Sequence, residues 1–320
     1  MTNEPQRQSV SAPARPSKLG AWFLASRPKT LTAAAIPVVV ALALAWGDLA
    51  SGRVETPSGT FLWIPAVCCL MFALLAQIAA NFVNDYADYK KGTDGENRKG
   101  PARAVASGWI APRSMLAATF IVLALACCFG LATLPYGGWK LIIVGVVSCV
   151  FCLLYSAGPL PLAYIGLGDV LVVAFFGFVA VGFTYFLQTQ HITFDAALVG
   201  LAIGFATDNI LVSNNYRDRD EDRANRKFTL IAIFGERFGR YFYLANGLIV
   251  VALLTAVFLR RGVLYHPLSL ASVVVYLAFH FQAWRRLVRI GSGPALISVL
   301  AMSSRNLVIL GVLLAFALAV

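Results

Sequence analysis

Charge is scarce in this chain. Asp, Glu, Lys and Arg make up 13% of its 320 residues, where an ordinary soluble domain carries about a quarter. Histidine is scarcer still, with three copies. The six cysteines (Cys68, Cys69, Cys127, Cys128, Cys149 and Cys152) all lie inside apolar runs without histidines at zinc spacing. That excludes a zinc centre of the usual kind. Cys149 and Cys152 form a C-x-x-C, but within an apolar run they read as small buried residues rather than as a redox pair. The first 19 residues lack the apolar core of a signal peptide. They are polar and rich in Pro and Ser, so 1–19 is expected to be a disordered cytoplasmic tail.

Apolar side chains are abundant. They account for 59% of the chain, and the mean hydropathy is +0.75. No soluble fold has enough interior for that load. A membrane-crossing helix needs about 20 mostly apolar residues. Candidate spans fall at 31–46, 61–83, 115–134, 141–155, 170–187, 196–213, 241–259, 267–284 and 307–320. The fold class is therefore all-α integral membrane, with about nine transmembrane helices in one bundle over 20–320. The span from Leu141 is short.

The net charge of +11 sits mostly in connections between apolar runs. It reads as membrane orientation rather than as nucleic-acid binding. Arg7, Arg15, Lys18 and Arg27 precede the first span. Further groups follow the second, sixth and eighth spans. With nine spans these all share one side, predicted to be cytoplasmic, in a multi-pass protein of the cell inner membrane. Arg53, Lys140 and the pair Arg260–Arg261 fall on the other side as exceptions.

Two acidic clusters stand out at the ends of the second and sixth spans. Asn81, Asn84, Asp85 and Asp88 recur at three- and four-residue steps, so they form one stripe on a helix. Asn214, Asp218 and Asp222 do the same, and Asp208 lies deeper in that span. Carboxylates near a helix end are commonly solvated and paired with neighbouring cations. That reading leaves the repeated mixture of carboxamides and carboxylates unexplained, as well as the intramembrane Asn81, Asn84 and Asp208. Hard oxygen donors suit Mg²⁺, which usually takes one or two carboxylates plus substrate phosphates. Arg98, Arg103, Arg223 and Lys227 lie near enough in sequence to neutralise phosphate charge. Gly92, Gly95, Gly100 and Pro101 mark a loop after the first cluster.

In these motifs the chain resembles the UbiA-type membrane prenyltransferases, which have nine transmembrane helices and two Asp-rich motifs. Asn84 and Asp88 match the first two positions of N-x-x-x-D-x-x-x-D, and Gly92 stands at the third. The spelling over residues 84–94, N-D-x-x-D-x-x-x-G-x-D, is similar to the menaquinone branch, where Asp94 takes the acidic role. Asp218 and Asp222 match D-x-x-x-D. Arg27-Pro-Lys-Thr30, Gly100-Pro-Ala-Arg103 and the segment 155–169 point the same way, and the resemblance runs from Arg27 to about Gly239.

The resemblance implies transfer of a chain from a polyprenyl diphosphate to 1,4-dihydroxy-2-naphthoate. Diphosphate and CO₂ would leave, and demethylmenaquinol would form. It implies Asn84, Asp88, Asp218 and Asp222 as the Mg²⁺–diphosphate set, with Lys227, Arg98, Arg103 and Arg217 on phosphate. Asn81, Asp85 and Asp94 would support them. Arg27, Asp169 and Tyr155 fall to the ring side, with Tyr155 and Tyr164 facing the allylic cation. A UbiA-type enzyme with another aromatic acceptor is one alternative. A transporter using the Asn/Asp clusters as an ion site is another.

Overall fold

A computed structural model of the protein describes residues 16–92, 102–159 and 161–319. Its helices of eight or more residues are α1 (Lys18–Ala25), α2 (Pro28–Ala50), α3 (Trp63–Lys91), α4 (Pro112–Leu131), α5 (Leu141–Ser156), α6 (Gly168–Thr189), α7 (Phe194–Ala224), α8 (Leu230–Arg261), α9 (Pro267–Ile290) and α10 (Ile297–Ala319). Among the described residues there is no β-strand. That is the outcome hydrocarbon imposes, since a helix satisfies its own backbone polar groups without water. Residues 1–15, and with them most of the expected tail, lie outside the described residues. Ser17 caps α1, its hydroxyl accepting from Gly20 N–H at 3.1 Å.

Eight helices among the described residues are long and apolar enough to cross a membrane. The ninth expected span, α5, has 16 residues, which gives about 24 Å at 1.5 Å per residue. That is shorter than a typical hydrocarbon core of about 30 Å. Two helices begin earlier than their apolar runs. The seventh span was expected at 241–259, yet α8 starts at Leu230 and carries Glu236, Arg237 and Arg240 in its first turns. Its backbone breaks at Gly235, where φ is +85°. The last span was expected to begin at 307, but α10 starts at Ile297. Its early polar residues are held inside the bundle: the Ser303 hydroxyl lies 2.9 Å from both the Ser213 and Tyr243 hydroxyls.

The bundle is organised around α7. Of its apolar stretch 72% is buried inside the protein, the highest share of any span. Small residues permit this. A Cβ on Gly177 of α6 would lie 2.6 Å from the Gly200 carbonyl oxygen, and one on Gly204 would lie 2.9 Å from the Val173 carbonyl oxygen. Glycine at those positions lets two backbones touch, the usual device for packing helices in lipid. Around Gly177, Val173–Phe183 winds as a π-helix. Its widened turns coincide with the wall of the main cavity, where such bulges often sit at functional sites.

Two of the charged exceptions at the other end of the bundle, Arg260 and Arg261, have acidic partners. Arg261 pairs with Asp48 at 2.7 Å, and Arg260 pairs with Asp195 at 2.8 Å. The Tyr185 hydroxyl donates to the second Asp48 oxygen at 2.7 Å. These positive charges are therefore largely cancelled locally.

Candidate active site

The two acidic motifs meet. The C-terminal turns of α3 and α7 converge on one cavity of about 820 Å³. Asn81, Asn84, Asp85 and Asp88 of α3 line it together with Asn214, Arg217, Asp218 and Asp222 of α7. Asp222 lies within electrostatic reach of both Asp88 and Asp218. The two stripes are thus halves of a single site. Below them the cavity is apolar, walled by Phe72, Phe175, Val179, Phe183 and Leu187. Along α3 it runs from Cys69 to Asp88. Those 19 residues of rise amount to about 28 Å.

Within the first stripe the four residues have different tasks. The Asn81 side chain donates to the Ser26 carbonyl at 2.8 Å and meets the Thr30 hydroxyl at 3.1 Å. It ties the α1–α2 junction to α3. Asn84 accepts from the Arg27 guanidinium at 2.8 Å and donates to Ser156 at 3.1 Å. Both Asp85 oxygens accept backbone N–H groups, from Ala104 at 3.0 Å and from Val105 at 3.2 Å. That carboxylate anchors the returning loop, a structural task that the sequence spacing did not reveal. The loop delivers Arg103, whose guanidinium pairs with Asp88 at 2.7 Å. Asp94 and Arg98 lie outside the described residues.

Gly92 ends α3. Its φ is +70°, in the left-handed region, where a side chain is disfavoured and glycine caps a helix well. The helix ends at the position where a third acidic residue would otherwise extend the stripe. Arg27 is also strained. It holds φ of +51° immediately before Pro28, a conformation uncommon for a non-glycine residue and typical of over-determined functional positions.

In the second stripe Arg217 grips Asp218 with two bonds of 2.6 and 2.5 Å and reaches Asn214 at 2.7 Å. Lys227 meets one Asp222 oxygen at 3.1 Å, while the buried Asp222 Oδ2 has no partner. Arg223 turns away from the cavity and donates to the Ala232 carbonyl at 3.0 and 2.7 Å. It caps the α7–α8 connection and is not available to phosphate as the sequence suggested.

Several contributors were missed. Lys91 sits over the Tyr164 ring at 4.0 Å, donates to the Ser156 carbonyl at 3.1 Å, and interacts with Asp88 and Lys227. Its place at the end of the first stripe was the available signal. Gln77, Lys29 and Ser156 also line the cavity or hold its liners. Tyr155, Tyr164 and Asp169 all lie on the cavity wall. The Tyr155 side chain lies among Asp88, Asp169, Asp208 and Asp222.

Among the described residues no three acidic, His or Cys side chains form a ready-made metal cage. The donors nevertheless fit Mg²⁺. They are hard oxygens, they come as carboxylates from two sides, and one buried oxygen of Asp222 is unpartnered. Mg²⁺ commonly completes its octahedron with water and substrate phosphate rather than with protein alone.

The sequence profile of the UbiA prenyltransferase family matches residues 34–292. The chain belongs to the UbiA prenyltransferase family. It is 35% identical over 246 residues to the 1,4-dihydroxy-2-naphthoate octaprenyltransferase of Escherichia coli (strain K12), covering 74% of this chain and 77% of that protein. It is 33% identical over 258 residues to the enzyme of the same name from Mycobacterium leprae (strain TN), covering 79% and 84%. Among solved structures it shares the fold of a UbiA homologue from Archaeoglobus fulgidus bound to GPP and Mg²⁺. The TM-score is 0.63 at 17% identity, over 93% of this chain and 99% of that one. Membership in the UbiA family makes the chain a prenyltransferase and sets the transporter reading aside.

Proposed function

We propose that this UbiA-family enzyme transfers a polyprenyl chain from polyprenyl diphosphate to 1,4-dihydroxy-2-naphthoate, releasing diphosphate and CO₂ and giving demethylmenaquinol. The observation that carries the reading is the single cavity, polar at the mouth where two acidic helix ends meet and apolar through its depth. Relatives named for that acceptor, at 31–35% identity, support the choice of ring.

The mouth suits a diphosphate. Asn84, Asp88, Asp218 and Asp222 would hold Mg²⁺, which when bound would stabilise charge on the departing diphosphate. Arg103 and Lys227 each neutralise one carboxylate of the set. They are placed to turn to phosphate oxygens once a metal takes over those carboxylates, and Arg217 keeps Asp218 oriented. The apolar shaft takes the isoprenoid chain and keeps water from the allylic cation. Tyr155 and Tyr164 line the same cavity and would be near the allylic cation. A homologous structure described as holding GPP and Mg²⁺ is consistent with this assignment.

The site end of the bundle carries most of the basic connections, so it faces the cytoplasm of a cell inner membrane. The residues from α1 onward act as one transmembrane domain behind the N-terminal tail. The test is transfer by protein purified in nanodiscs, with and without chelator. Activity lost on chelation and restored by Mg²⁺ is expected. Undiminished transfer in chelator overturns the metal assignment.

A further inference from the structure

Two buried carboxyls lie outside the diphosphate stripes. Asp169 opens α6 and is 4% exposed, while Asp208, in the middle of α7, is 0% exposed. Their side chains lie close enough to interact directly. Asp208 Oδ2 also accepts from the Asn246 side chain of α8 at 2.8 Å. Asp169 Oδ1, Asp208 Oδ1 and Asn246 Oδ1 are buried without a donor in the protein. Neither carboxyl has a Lys or Arg partner among the described residues. The other titratable groups near them are the Tyr155 hydroxyl and, through it, Asp88 and Asp222. Asp169 lines the cavity and Asp208 does not.

Two carboxylates in contact, dry and without a cation, cannot both stay ionised. A hydrogen bond between two carboxyls also needs a proton on one of them. We infer that Asp169 and Asp208 share one proton, and that this pair exchanges a proton with the ring hydroxyl of the aromatic acceptor. Asp169 is the catalytic member, while Asp208 and Asn246 are positioning residues. The inference rests on the naphthoate reading above.

The chemistry balances without an added reagent. The hydroxyl ortho to the acceptor carboxylate passes its proton to Asp169, leaving a ring oxyanion and a doubly protonated pair. As the allylic C–O bond breaks, its electrons leave with diphosphate. The ring carbon bearing the carboxylate forms the new C–C bond, and the ring oxyanion becomes a ketone. The product is a β-keto carboxylate, which loses CO₂. The electrons of that C–C bond restore the ring oxyanion, and the pair returns the proton to it. No proton is consumed overall, so a closed store serves better than solvent, which would quench the cation.

The test uses full-length protein in nanodiscs. A prenyl thiolodiphosphate reports donor binding, 1,4-dihydroxy-2-naphthoate reports turnover, and infrared spectroscopy reports the carbonyl band of a protonated carboxyl. Asp169→Asn is expected to lower kcat at least roughly 100-fold, the scale of lost acid–base catalysis. Donor binding should stay within about twofold, since its groups lie elsewhere. Asp208→Asn is expected to lower kcat about tenfold as a positioning loss, with Asp169→Glu restoring part of the rate lost in Asp169→Asn. Wild type is expected to show a protonated-carboxyl band that either Asn variant removes. Wild-type kcat in Asp169→Asn, or no such band lost in either variant, overturns the pair while leaving the naphthoate reading intact. Failure of wild type to prenylate the naphthoate while it still binds the thiolodiphosphate overturns that reading, and the acceptor role with it.

Discussion

Asp85 gives the sharpest separation between structural and chemical carboxylates in one helical stripe. Its two oxygens take the N–H groups of Ala104 and Val105, and those residues are 2% and 3% exposed. Asp85→Ala would leave two buried donors without partners, at about 1–3 kcal/mol each, or roughly 2–6 kcal/mol in all. The segment from Ala104 to Ile110 packs with Trp22, Ala25, Phe82 and Met115 in a core of its own, so the loss should appear as local opening rather than global unfolding. Hydrogen exchange in nanodiscs is the assay. At about 1.4 kcal/mol per factor of ten, exchange at the Ala104 and Val105 amides should quicken by roughly one and a half to four powers of ten. Transfer should fall too, because Arg103 is carried on the same loop beside Asp88. Unchanged protection of those two amides in Asp85→Ala would refute the anchoring role.

Asp88→Ala and Asp218→Ala should each lower transfer at least about 100-fold, the scale of losing a preorganised charge at the departing group. Each also leaves a buried guanidinium, Arg103 or Arg217, without its carboxylate, so the melting temperature should fall while the chain still folds; full activity in either would sink the assignment. Arg261→Ala leaves Asp48 buried without its cation and should cost about 3–5 kcal/mol. Adding Asp48→Asn should recover much of that loss in thermal denaturation. Gly247→Ala places a Cβ 2.1 Å from the His280 ring, an overpacking worth about 1–3 kcal/mol or more. The melting temperature should drop, and His280→Ala in the same chain should return part of it.

The membrane architecture was legible because it rests on long apolar runs, which need no tertiary information. Both acidic stripes were legible for a related reason: four-residue steps on one helix are local. What escaped was set by distant contacts. Asp85 looked like Asp88 in spacing, and only the return of the chain at Ala104 and Val105 makes it an anchor. Arg223 stood among phosphate-ready cations until α8 brought the Ala232 carbonyl to it. Asp208 was visible as an intramembrane acid, but its partners come from α6 and from Asn246, 38 residues on. The starts of α8 and α10 were missed because hydropathy ends a span where polar residues begin, whereas Ser303 has its hydrogen bonds inside the bundle. Gly92 read as a missing acid, and its left-handed backbone supplies the reason.

The central claim is that the two stripes form one metal-dependent prenyl-transfer site acting on a dihydroxynaphthoate. Its most direct test supplies the purified protein in nanodiscs with one labelled polyprenyl diphosphate, Mg²⁺ and a panel of aromatic acceptors. The account predicts label on 1,4-dihydroxy-2-naphthoate, with diphosphate and CO₂ released in equal amounts, and little or none on hydroxybenzoate. Label on no acceptor, or on an acceptor other than the naphthoate, would contradict it.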